Sequence, residues 1–138
     1  MNGLIGIFAA EEGILAERAL QQADLANLIF IADVPVCKSS EPVVHGVGKG
    51  EMVDVLCDVV ANPNVDGFNW AFNNSAGLIH VPASRATVVN GTRSKLTYTP
   101  RNNKDYGTLM CEAKNEVGRQ KQPCIFHIIL AGTYVVVY

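Results

Sequence analysis

Hydrophobic and polar residues alternate at period two in several short stretches of this chain. Val53, Val55, Cys57 and Val59 share one face, while Asp54 and Asp58 point the other way. Phe68, Trp70 and Phe72 alternate with Asn69, Ala71 and Asn73; Leu96 and Tyr98 alternate with Lys95, Thr97 and Thr99; Leu109, Cys111 and Ala113 alternate with Met110, Glu112 and Lys114. Each stretch is read as a strand with one face toward a core, so Val55, Trp70, Leu96 and Leu109 are predicted core residues. Gly (12 residues) and Pro (6 residues) punctuate the short apolar runs, as they do where many strands are joined by tight turns. The pattern predicts an all-β domain.

The first 33 residues follow another pattern. Ala, Leu, Ile and Glu dominate, with Ile14, Leu15, Leu25, Leu28 and Ile29 apolar, and the segment carries Glu11, Glu12, Glu17, Asp24 and Asp33 against Arg18. It is read as an acidic, helical or disordered extension, residues 1–33, dispensable for a β domain over residues 34–132. Leu4 to Ala10 is short, has no preceding Lys or Arg, and places Ile7 and Phe8 where a signal cleavage site needs small residues. Leu25 to Ala32 falls far short of the roughly 20 residues that span a bilayer. Neither a signal peptide nor a transmembrane segment is expected. Residues 133–138 end in a β-prone run without a polar stop, and the chain is expected to be a fragment or an imperfect gene product.

Charge narrows the partners. Eleven Lys and Arg against 13 Asp and Glu leave no basic surplus to neutralise a phosphate backbone, which argues against nucleic acid. The four cysteines, Cys37, Cys57, Cys111 and Cys124, include no paired C-x-x-C hook, so zinc is disfavoured and no metal or cofactor is expected. Two disulfides are expected instead, with three connectivities open.

Strand parity bears on the connectivity. Cys57 and Cys111 both fall on core-facing positions, with Trp70 thirteen residues after the first and some fifty residues between the two cysteines. A buried Cys, an inward Trp and a second buried Cys at this spacing resemble the framework of an immunoglobulin sandwich, whose disulfide joins the sheets against the Trp. The fold class is accordingly all-β: an immunoglobulin-like (C2/I-type) two-sheet Greek-key sandwich carrying an N-terminal, helical extension. That framework pairs Cys57 with Cys111 and leaves Cys37, just before the first strand, for Cys124 in the last, on the expectation that first and last strands are neighbours. Asn115 to Gly118 is read as a tight turn into the final strand. One position departs from the pattern: the tyrosine corner requires Tyr two residues before the second Cys, where this chain has Leu109, with Tyr106 the nearest Tyr.

Finer motifs narrow the resemblance. Phe68-Asn-Trp-Ala-Phe-Asn-Asn-Ser75, Gly91-Thr-Arg-Ser-Lys-Leu-Thr-Tyr-Thr-Pro100, Asp105-Tyr-Gly-Thr-Leu-Met-Cys111, Asn115-Glu-Val-Gly118 and Pro123-Cys-Ile-Phe-His-Ile-Ile129 resemble an Ig domain of the sidestep family of arthropod neuronal cell-surface proteins. The resemblance covers approximately Val34 to Gly132. It implies a single-pass membrane protein with several Ig domains, working in guidance or adhesion through its ectodomain, with other cell-surface Ig-superfamily proteins as partners. The membrane anchor it implies is not within this chain.

No catalytic constellation surrounds His45, His80 or His127, so neither an enzyme nor a small-molecule substrate is expected. His127 is read as projecting from the outer face of the last strand. Gly46-Val-Gly-Lys-Gly50 fails as a phosphate loop, because Val43 and Gly50 stand where Gly and Ser or Thr are needed, and is read as a flexible connection. Two Asn-x-Ser/Thr sequons, Asn73-Asn-Ser75 and Asn90-Gly-Thr92, are candidate glycosylation sites if the chain enters the secretory pathway. The expected function is a non-enzymatic recognition or adhesion module at the cell surface. The competing reading is a spacer Ig domain that touches no ligand.

Overall fold

The alternating stretches become strands, and the computed structural model adds others between them; it describes residues 31–133. In chain order the strands are β1 (Asp33–Cys37), β2 (Val43–Val47), β3 (Val53–Asn62), β4 (Gly67–Asn74), β5 (Gly77–Val81), β6 (Ala86–Asn90), β7 (Arg93–Tyr98), β8 (Gly107–Lys114) and β9 (Cys124–Leu130). Single 3-10 turns lie at Ala83–Arg85 and Asn103–Asp105. One sheet has the order β1-β3-β7-β6 and the other β2-β9-β8-β4-β5. Strand β2 runs parallel to β9, and the other described pairings are antiparallel.

Register explains why the core falls where the alternation places it. Val55 pairs with Leu96 and Cys57 with Ser94 across β3 and β7, which puts all four on the inner face of the four-stranded sheet. Trp70 pairs with Cys111 and Phe72 with Leu109 across β4 and β8, on the inner face of the other sheet. Val55, Leu96 and Leu109 are fully buried and Trp70 is 4% exposed. Phe126 and Ile128 of β9 complete the layer, with the Trp70 and Phe126 ring centroids 5.7 Å apart. The Trp70 indole N–H reaches across the sandwich to the Ser94 hydroxyl at 3.0 Å, which satisfies the polar tip of an otherwise apolar side chain.

Both disulfides cross between the sheets. Cys57 on β3 is bonded to Cys111 on β8, with Cα atoms 6.3 Å apart, and Cys37 on β1 is bonded to Cys124 on β9, with Cα atoms 5.6 Å apart. The reason expected for the second pairing is corrected. Cys37 does not precede the first strand but ends it, and β1 lies in the sheet opposite β9; β9 lies between β2 and β8. The chain leaves one sheet after Cys37 and joins the other at Val43, so the second bridge closes the edge at which this change occurs.

Another expectation is revised at the same place. The stretch read as a flexible connection, Gly46 to Gly50, is one only in part: Gly46 and Val47 end β2, opposite Ile129 and Leu130. The short β2 run has one buried residue, Val47, so its sequence shows little of the alternation that marks a strand. The helical extension expected over residues 1–33 lies almost wholly outside the described residues, as does all of residues 133–138 except Thr133.

The ends of the sandwich are closed by polar side chains bonded to backbone. Leu109 is buried at the tyrosine-corner position, and two other tyrosines pin that end: the Tyr98 hydroxyl donates to the Asp105 carbonyl at 2.6 Å and the Tyr106 hydroxyl to the Val47 carbonyl at 2.8 Å. Gly107, the first residue of β8, is required by close approach, since a Cβ there would lie 2.5 Å from the Asn73 carbonyl oxygen. At the opposite end Asn115, 1% exposed, donates to the Asp33 and Pro63 carbonyls and accepts from the Val117 and Gly118 amides.

Candidate functional site

With the core filled, contact chemistry is left to the two outer sheet faces. On the four-stranded sheet, Val36 of β1 stands opposite Val60 of β3, and they are 59% and 58% exposed. Leu56, 42% exposed, lies two outward positions from Val60 on the same strand. Asp58 stands between them and is paired with Arg93 of β7, whose Nη2 is 3.0 Å from Asp58 Oδ2. Lys95 pairs with Leu56, and Thr97 donates its hydroxyl to Asp54 at 2.7 Å. The result is an aliphatic strip bordered by charge, an arrangement suited to another protein surface.

The outer face of the five-stranded sheet differs. One row across it reads Val44, His127, Thr108, Asn73 and Leu78, and the next reads Ile125, Met110, Ala71 and His80. Neither row contains Asp, Glu, Lys or Arg. Charge appears farther along, where Arg119 Nη1 lies 3.2 Å from Glu112 Oε1. His127 is on this outer face, where its Nδ1 is 3.1 Å from the Thr108 hydroxyl.

The three histidines are distributed over β2, β5 and β9. His45 is half-buried, and desolvation holds its pKa below the ordinary imidazole value, which favours the neutral ring. A cleft of about 310 Å³ is lined by residues that include Phe72, Ile79, Tyr98, Arg85, Arg101 and Asp105. Asp105 accepts from the Arg101 and Asn102 amides and caps the 3-10 turn, so its carboxylate is committed to structure. Among the described residues no group of His, Cys, Asp and Glu could hold a metal ion.

The sequons stand in contrasting places. Asn73 is exposed in β4 between Thr108 and Leu78. Asn90 ends β6, and its Oδ1 accepts from both the amide (2.9 Å) and the hydroxyl (3.0 Å) of Thr92. The structure also gives a role to Gln120, on which the sequence patterning was silent. It is 4% exposed; its Oε1 accepts from the Ala113 amide at 2.7 Å, and its Nε2 donates to the Gln122 carbonyl at 2.9 Å and contacts Cys37 Sγ at 3.0 Å.

Two sheets joined by a disulfide beside a buried Trp, with β2 passing parallel to β9, define the architecture. The chain has the immunoglobulin fold. It is similar to titin M4 at TM-score 0.55 and 14% identity, over 73% of this chain and 99% of that one. It is similar to the titin tandem Ig domains A164-A165 at TM-score 0.52 and 22% identity, over 72% of this chain and 48% of the tandem. Ig domain 7 of Dscam1 matches at TM-score 0.53 and 16% identity, over 70% of this chain and 95% of that one. No family model matches the chain. No curated protein matches it either.

Proposed function

We propose that this Ig-like domain is a non-enzymatic recognition or adhesion module of a cell-surface protein and binds other cell-surface Ig-type proteins. The observation that carries this reading is the pair of closed disulfides, since such bonds persist in oxidising compartments such as the extracellular space. The exposed Val36, Val60 and Leu56 strip supports binding over spacing, because a spacer has no need of an aliphatic strip with a charged border. The resemblance of the Phe68–Ser75 and Pro123–Ile129 motifs to the sidestep family supports a part in neuronal guidance or adhesion. Among the described residues no helix is long and apolar enough to cross a membrane.

The test is capture of the disulfide-bonded chain on a panel of cell-surface ectodomains. A partner should be found, and Val36→Asp with Val60→Asp should abolish its capture while leaving the melting transition cooperative. Capture of no ectodomain by the wild-type chain would favour the spacer.

A further inference from the structure

We infer that Asn73 carries an N-linked glycan that covers the uncharged rows on the outer face of the five-stranded sheet and leaves the four-stranded sheet as the protein-contact face. The inference rests on the extracellular reading above and deepens it by separating the two faces.

Asn73 lies on that face near the end of β4, one strand in from the β5 edge. Its row neighbours Thr108 and Leu78 are uncharged, and Leu78 is 58% exposed. Met110 and Ala71 form the adjoining row. Apolar positions open to water with no charge among them are a liability in a soluble domain. An oligosaccharide rooted at Asn73 covers them with a bulky, solubilising group.

The side chain is available for attachment. Asn73 makes no hydrogen bond through its carboxamide among the described residues. The next residue, Asn74, is held in both directions, with its Nδ2 donating to the Lys104 carbonyl at 2.7 Å and its Oδ1 accepting from the Ala76 amide at 2.8 Å. Ser75, the third residue of the sequon, lies exposed in the turn between β4 and β5. A sugar on Asn73 Nδ2 therefore breaks no internal bond and meets open solvent.

The donor is an oligosaccharide linked through its anomeric carbon to a lipid diphosphate. Asn73 Nδ2 forms the new bond to that carbon and gives up one proton. The bond from carbon to the diphosphate oxygen breaks, and the lipid diphosphate leaves with the electron pair, so no redox partner is needed.

The full chain, placed behind a cleavable secretion signal in a eukaryotic cell, tests the inference. An amide-cleaving glycosidase should increase gel mobility and convert Asn73 to Asp in the peptide map. Asn73→Gln and Ser75→Ala should each abolish that conversion, and Asn90→Gln should leave it intact. The same map applies to chain retained in the cell. An unmodified Asn73 in secreted or retained chain would overturn the inference and leave this face to a protein partner. The secreted Asn73→Gln chain should also bind an apolar dye or self-associate more than the glycosylated chain; equal behaviour would overturn the covering role. Because the added signal imposes the route, failure here is separate from failure of the extracellular reading, which protease accessibility of the parent protein on intact cells decides.

Discussion

The middle of the sandwich and its two ends are held by different forces. In the middle, Trp70, Leu96, Leu109 and the Cys57–Cys111 bridge lie against one another with little exposed area, and the Trp70 bond to Ser94 is the polar exception. At the ends, Asn115, Gln120, Tyr98 and Tyr106 bond to backbone groups at or beyond the last ladder rungs. Burial in the middle is non-directional and spread over many contacts, whereas each end depends on one or two directed bonds. The two bridges divide in the same way. Cys57 and Cys111 are fully buried, but Cys37 is partly exposed beside the amide of Gln120. Their sequence separations of 54 and 87 make their loop-entropy contributions nearly equal, about 4 to 5 kcal/mol each when taken alone. Packing, and not chain entropy, is what distinguishes them.

This contrast can be broken most directly at Trp70. Trp70→Ala should cost about 3 to 5 kcal/mol in urea unfolding, enough to abolish folding at the low end of ordinary domain stability. A near-native midpoint would mean that the middle does not dominate. Asn115→Ala should cost about 3 kcal/mol, because it removes the side-chain partner of the Asp33 and Pro63 carbonyls and of the Val117 amide, while the Gly118 amide keeps its bond to the residue-115 carbonyl. Hydrogen exchange should show the loss concentrated at that end; uniform loss would count against local closure.

Gln120→Ala should cost about 2 kcal/mol through the unpaired Ala113 amide, with the Cys37–Cys124 bridge retained in a non-reducing peptide map. A free Cys37 in that variant would show that the amide is needed to form the bridge.

The smallest effect is expected at Tyr98. Burial, aided by the Asp105 charge, pushes its phenol pKa up to about 12, whereas in the unfolded chain it titrates near 10. The phenol stays protonated longer in the folded state, so stability is unaffected below about pH 10 and falls as the pH rises toward 12. Tyr98→Phe should cost about 1 kcal/mol at neutral pH by losing the bond to the Asp105 carbonyl, and should flatten the alkaline fall. Tyr106, raised in the same direction by burial and by Glu51, should keep part of it. An unchanged alkaline profile would show that Tyr98 does not contribute to it.

The long central strands were legible because burying one sheet face imposes period two on the residue types. Val55, Cys57, Trp70, Leu109 and Cys111 alternate without interruption, and β3, β4, β7 and β8 follow from them. The edge strands were not legible in this way. β5 and β6 expose nearly every residue, and β2 buries only Val47, so their sequences carry little alternation. They are strands because a neighbouring ladder offers them backbone partners.

The same division runs through the chemistry. Cysteine parity and the Trp spacing, set within a known framework, already pointed to Cys57–Cys111 and left Cys37 for Cys124 by elimination, since face and order along the chain are properties of the sequence. That Cys37 reaches Cys124 from the opposite sheet, that Tyr98 and Tyr106 close the end where Leu109 replaces the corner tyrosine, and that Gln120 and Asn115 serve distant backbone groups were decided in the tertiary structure alone. A single polar residue has no period, and its partner lies wherever the fold leaves an unpaired carbonyl or amide. Asn73 shows both parts: its sequon is read along the chain, but the uncharged rows around it exist only once β9, β8, β4 and β5 lie side by side.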